Sequence, residues 1–145
     1  MGWVAASSST EDLFKPAPAT GPIAFYLEVP LRAVSMSNAR MHWARKAKEV
    51  KRQREAVQFY FAVCRRNSEA PLPLPCTVLL TRVAPRELDD DNLRGALKAV
   101  RDQVATVLGV DDRDKRVRWE YAQAKPDKPK TYAVRIEIRP QVLAP

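Results

Sequence analysis

Three consecutive aspartates, Asp89-Asp90-Asp91, stand between a strand-like run and a helix-like one, and an acidic pair, Asp111-Asp112, follows about twenty residues later. Two or three carboxylates with few other ligands are what proteins use to hold Mg²⁺ against a substrate phosphate, because the ion keeps much of its water and asks only for oxygen donors. Bound in this way, the ion polarises a phosphoryl oxygen and activates water. Aspartates ahead of a helix also act as N-caps and suit the positive end of its dipole. Capping accounts well for one aspartate, in part for a second and poorly for a third. Like charges crowded together in a basic protein point to a cation at the site. In an extended segment Asp89 and Asp91 face one side and Asp90 the other, and the pattern leaves open which two would be ligands.

The residues that follow sharpen this reading. Positions 92–108 carry a helical pattern that stops at Gly109. At about 100° per residue, Leu93, Leu97, Val100, Val104 and Leu108 fall on one side, with Asp91, Gly95, Lys98 and Asp102 opposite. Lys98 on that stripe can meet a scissile phosphate or the charge developing on it. Spacing alone equally allows an exposed i, i+4 ion pair with Asp102. Such a helix is roughly 24 Å long, so Asp112 meets Asp91 only if the chain doubles back, as the next strand must to join the same sheet.

Other chemistries are poorly served. His42 is the single histidine, which argues against a histidine-rich zinc site or a Ser-His-Asp triad. Asp112-Arg113-Asp114 lacks the glycine and terminal glutamate of an EF-hand loop, and no glycine-rich phosphate loop is present. Cys64 and Cys76 are too few for a disulfide framework and fit a reducing cytoplasm. Cys64 falls on an apolar helical stripe and reads as a core thiol.

The elements that must position these groups can be traced along the chain. Residues 1–21 are small and polar and read as a disordered lead-in, 22–140 as one folded domain and 141–145 as a tail. Within the domain, strands are expected at IAFYLEV (23–29), CTVLLTRV (76–83), RVRWEYAQ (116–123) and TYAVRIEI (131–138). Helices are expected from Trp43 to Arg66 and from Asn92 to Leu108, the first with Trp43, Ala47, Val50, Val57, Phe61 and Cys64 on its apolar face. The order β-α-β-α-β-β gives an α+β fold with two helices packed on a four-stranded mixed sheet.

Charge points to the partner. The chain of 145 residues carries a net +8, and residues 40–66 concentrate nine basic side chains against Glu49 and Glu55. A charge run is usually a solvated helix face, but this one leaves most of its cations without a local acid. Arg40, Arg45, Lys48, Lys51 and Arg52 are therefore candidate contacts to a phosphate backbone. No stretch approaches the roughly 18 apolar residues of a membrane span, and the N-terminus shows no secretory signal.

LDDDNLRGALKAVRDQVATVLGVDD (Leu88 to Asp112), together with SNARMHW (Ser37 to Trp43) and the basic helix after it, resembles the RusA family of Holliday-junction resolvases, most closely the bacteriophage and prophage versions. The resemblance spans Pro22 to Ile138 and rests on an Asp-x-Asp-Asn-Leu start, a helix and a closing Asp-Asp in that order. It implies a cytoplasmic homodimer, in a bacterium or a phage-infected host, that nicks four-way DNA junctions symmetrically with Mg²⁺ or Mn²⁺ in recombination and repair. Asp89 and Asp91 would take the first two metal positions and Asp112 the third, with Asp111 beside it. Lys98 would be the catalytic lysine, although it lies one turn later than the family position, where Gly95 stands, and Asp90 replaces an apolar residue. Two other readings of the residues are a non-catalytic nucleic-acid-binding module built on the basic helix, and an interaction protein whose aspartates are caps.

Overall fold

Cys76–Val83 is buried along nearly its whole length because it is the middle strand of its sheet, hydrogen-bonded on both sides. The computed structural model describes residues 4–6, 22–34, 42–68 and 70–141. In chain order the elements are β1 (Val4–Ala6), β2 (Phe25–Val29), α1 (Trp43–Arg65), β3 (Cys76–Val83), α2 (Asp90–Ala96), α3 (Lys98–Leu108), β4 (Val117–Ala124) and β5 (Ala133–Pro140). This is an α+β fold on a mixed sheet of order β1-β4-β3-β5-β2. β3 and β4 run parallel, from Cys76 opposite Val117 to Val83 opposite Ala124, and the remaining pairs are antiparallel. Parallel neighbours need a crossover, and α2 with α3 provides it.

The strand period of two sorts the side chains. Val78 and Leu80 of β3, Ile136 and Ile138 of β5 and Leu27 and Val29 of β2 point to the helix layer, where Val57, Phe61, Leu93, Leu97, Val100 and Val104 complete one core. The alternate residues turn away from it, and the ion pairs Arg118–Glu120 and Arg135–Glu28, each at 3.3 Å, lie among them.

Three expectations need correction. Part of the expected disordered lead-in, Val4–Ala6, forms a fifth strand beside β4; the other residues of 1–21 lie outside the described ones. The second helix is two. It starts at Asp90, and Leu97 leaves helical geometry at φ −97°, ψ 2°, although its N–H still donates to the Leu93 carbonyl and its own carbonyl accepts from Arg101. The axis therefore bends without the chain parting. Gly95, worth about 1 kcal/mol less than alanine in a helix, weakens the turn just before the bend.

The third correction concerns the apolar face of α1. Val57 and Phe61 are buried as expected, but Cys64 is exposed rather than a core thiol, and Trp43 is 75% exposed. Both stand towards the ends of α1, outside the stretch from Gln53 to Phe61 that holds its buried residues. Gln53 instead is fully buried, donating from Nε2 to Glu49 while its Oε1 has no partner. A buried polar atom left unpaired costs about 1–3 kcal/mol, so Gln53→Leu should raise the melting temperature; a fall in thermal denaturation would show that the amide is needed. No described helix is long and apolar enough to cross a membrane.

Candidate active site and basic face

The first acidic group is built around a helix cap. Asp89 is extended at φ −70°, ψ 170°, and its carboxylate accepts the Asn92 N–H at 2.9 Å. Asp90 and Asp91 already belong to the first turn of α2 and are exposed. The expected extended triplet, with Asp89 and Asp91 on one side, is thereby replaced by a cap and two helical residues about 100° apart. Asp89→Ala should cost about 1 kcal/mol, a loss that chemical denaturation would register, whereas Asp90→Ala should cost less.

Buried polar side chains brace the turn before this cap. Arg82, pressed to a lower pKa by burial, donates from Nε to the Ala33 carbonyl at 2.8 Å and from Nη1 to the Arg86 carbonyl at 2.7 Å. Its neighbour in register, Gln123 of β4, bonds the main chain of Leu88.

The second acidic group follows the end of α3. Gly109 takes the left-handed conformation, φ 74°, ψ 28°, which a side chain would strain. The Gly109 and Val110 N–H groups close back on the Thr106 and Ala105 carbonyls, each at 3.0 Å, a Schellman ending. The chain then turns around its own aspartates. Asp111 accepts the Arg113 N–H at 2.9 Å, and that bond, then one with the Asp112 carboxyl, holds the Asp111 pKa below its usual range. Asp114 is pushed down to about 2 by Arg116, which pairs with it at 2.7 Å. Arg101 of α3 fastens the turn to the sheet, with Nη2 on the Asp112 carbonyl at 2.9 Å and Nη1 on the Tyr121 hydroxyl at 2.8 Å. Its guanidinium lies 5.0 Å from the centre of the Trp119 ring.

The candidate residues consequently fall into two groups. Lys98, Asp111 and Asp112 meet with Arg54, Asp102 and Thr106 in an open depression of about 360 Å³. There Lys98 makes the i, i+4 ion pair with Asp102, at 3.3 Å. Asp89, Asp90 and Asp91 lie outside the depression, Asp91 being seven residues, roughly 10 Å of helix, before Lys98. Among the described residues no three His, Cys, Asp or Glu side chains gather as a metal cluster. Each group nonetheless offers the hard oxygen donors that a largely hydrated Mg²⁺ takes from one or two carboxylates. Asp90 and Asp91 are exposed in the first, and Asp111 and Asp112 line the same depression in the second. The residues fit an ion held in that way, not a closed three-carboxylate cage.

α1 supplies the cationic surface. Arg45, Lys48, Lys51 and Arg52 line a second depression of about 430 Å³ with Glu49 and Glu55. Arg52 forks onto Glu49, which lowers the Glu49 pKa and raises that of Arg52, and Lys51 approaches Glu55 at 3.9 Å. Arg45 and Lys48 are exposed and have no acidic partner among the described residues. Arg40 and the Ser37–Met41 stretch lie outside those residues. His42 caps α1, its Nδ1 accepting the Ala44 N–H at 3.3 Å. Arg54 faces the other way and joins α1 to α3 through Gln103 at 2.9 Å and Thr106 at 3.3 Å.

No protein-family profile matches the chain, and neither does any solved structure. An uncharacterized protein of Xylella fastidiosa (strain Temecula1 / ATCC 700964) is 38% identical over 52% of each chain. The chain thus spans about half the length of that relative.

Sequence reasoning missed Arg54, Arg101 and Gln123, which organise the neighbourhood of both acidic groups. Gln123 carried a legible signal, a polar residue continuing the inward series Val117, Trp119, Tyr121 of β4. Arg54 and Arg101 carried none, because a basic residue on a helix is ordinarily a solvated one.

Proposed function

We propose that the protein is a divalent-metal-dependent endonuclease of the RusA type, acting as a homodimer on four-way DNA junctions. The observation that carries this reading is Arg54. It belongs to the basic helix α1 and also lines the depression that holds Lys98, Asp111 and Asp112. One cation of α1, on the side away from Arg45 and Lys48, therefore stands beside the acidic residues. Asp89 and Asp91 in the first acidic group, and Asp112 with Asp111 in the second, are the proposed metal-binding carboxylates, each group taking a largely hydrated ion. Mg²⁺ or Mn²⁺ bound to them would supply Lewis-acid polarisation of the phosphoryl oxygen and a water of lowered pKa. Lys98, exposed and weakly paired, is free to leave Asp102 for the charge developing on the phosphate. Arg40, Arg45, Lys48, Lys51 and Arg52 neutralise flanking phosphates, and a two-fold dimer presents the same set to the opposing strand.

Two observations favour a second reading, a nucleic-acid-binding module without catalysis: the two acidic groups stand apart, and Asp89 is engaged as a cap. A labelled four-way junction with a linear duplex control, incubated with Mg²⁺ or with EDTA, separates the two. Paired nicks confined to the junction and to Mg²⁺ are expected. Salt-sensitive binding without nicks in either Mg²⁺ or Mn²⁺ would establish the binding module instead.

A further inference from the structure

We infer that Gln123 is a positioning residue for the first acidic group, which it holds through the main chain of Leu88. The inference rests on the metal-dependent reading above. Gln123 is 2% exposed and faces the helix layer, at a place where the strand pattern calls for an apolar side chain. Its amide is committed to one residue 35 positions away: the Leu88 N–H donates to its Oε1 at 2.8 Å, and its Nε2 donates to the Leu88 carbonyl at 2.7 Å. A side-chain amide thus completes both main-chain bonds of Leu88, as a neighbouring strand would. Leu88 immediately precedes the cap Asp89, so fixing its plane fixes the entry into α2 and the direction of Asp90 and Asp91. The grip falls on main-chain atoms and leaves the carboxylates of Asp90 and Asp91 exposed. Arg82, beside Gln123 in register, holds the Arg86 carbonyl in the same manner. Outer partners of metal ligands commonly change metal affinity or activity by about 10- to 100-fold when lost.

The test uses the full chain and two measurements. Amide exchange at Leu88 should be slower than at Arg86 and Glu87 in the wild type and should be released in Gln123→Met, which keeps the length but neither hydrogen bond. Mn²⁺ binding, followed by loss of the free-ion resonance signal, should weaken about tenfold in Gln123→Met. It should not change in Ile138→Val, a core substitution on β5 that loosens the fold elsewhere. A Leu88 amide that exchanges as fast as its neighbours in the wild type overturns the inference even if no Gln123 variant folds. Wild-type Mn²⁺ affinity in Gln123→Met overturns it as well. A wild-type protein that binds Mn²⁺ but cuts no DNA sinks the nuclease proposal and leaves Gln123 in its role, whereas one that binds no Mn²⁺ removes both.

Discussion

Asp91→Asn is expected to abolish junction nicking in Mg²⁺, with a fall of at least about 100-fold, while junction binding persists. Asp91 is exposed in the first turn of α2, where asparagine keeps the shape and removes the charge. Neutralising a carboxylate at a helix start costs only about 0.3–1 kcal/mol, too little to unfold a domain. Losing an outer partner of a metal already costs up to about 100-fold, and losing a ligand should cost no less. Asp90→Asn, made in parallel, decides which of the two helical aspartates serves the metal. Loss of binding together with a large drop in melting temperature would mark Asp91 as structural.

The second large effect belongs to α1. The double substitution Arg45→Ala, Lys48→Ala removes exposed cations that no acid neutralises among the described residues. Each phosphate contact contributes about 0.9 to the slope of log affinity against log salt on duplex DNA. The slope should therefore fall by about two, and junction affinity by roughly 10- to 100-fold at about 0.1 M salt. Titrations at several salt concentrations read both quantities. An unchanged slope would mean that DNA, if bound, lies elsewhere. Arg54 is unsuitable for this test, because its bonds to Gln103 and Thr106 also hold α1 against α3.

The sheet was the most legible part of the fold. β3 was readable residue for residue, since a run such as CTVLLTRV satisfies both faces of a central strand. β4 and β5 followed from strict alternation. β1 was not readable, because three small residues in a polar segment make a strand only by borrowing the edge of β4. On α1 the period was right but the extent of the core was not: Trp43 and Cys64 share the helical face of Val57 and Phe61 yet are exposed, while Gln53 breaks the binary pattern from inside. At the candidate site, the identities and order of the acidic residues were plain. Their placement was not, because it depends on a cap at Asp89, a bend at Leu97 and long-range bonds from Arg101 and Gln123. Those side chains act on main-chain atoms, which no spacing rule records.

The sheet order also bears on how the chain is made in the cell. β2 has one partner, β5, whose residues lie roughly a hundred positions downstream. At synthesis speeds of about 5–20 residues per second, Leu27 and Val29 wait several seconds for the strand that seats them, with Val57 and Phe61 of α1 exposed beside them. Contacts this distant also slow the search for the native pairing. Until then the nascent chain shows apolar surface that the finished fold covers. A protease cut in the exposed turn 125–130 before β5 pairs would forfeit more than one strand, because β2 and the helix resting on it would lose their seat together.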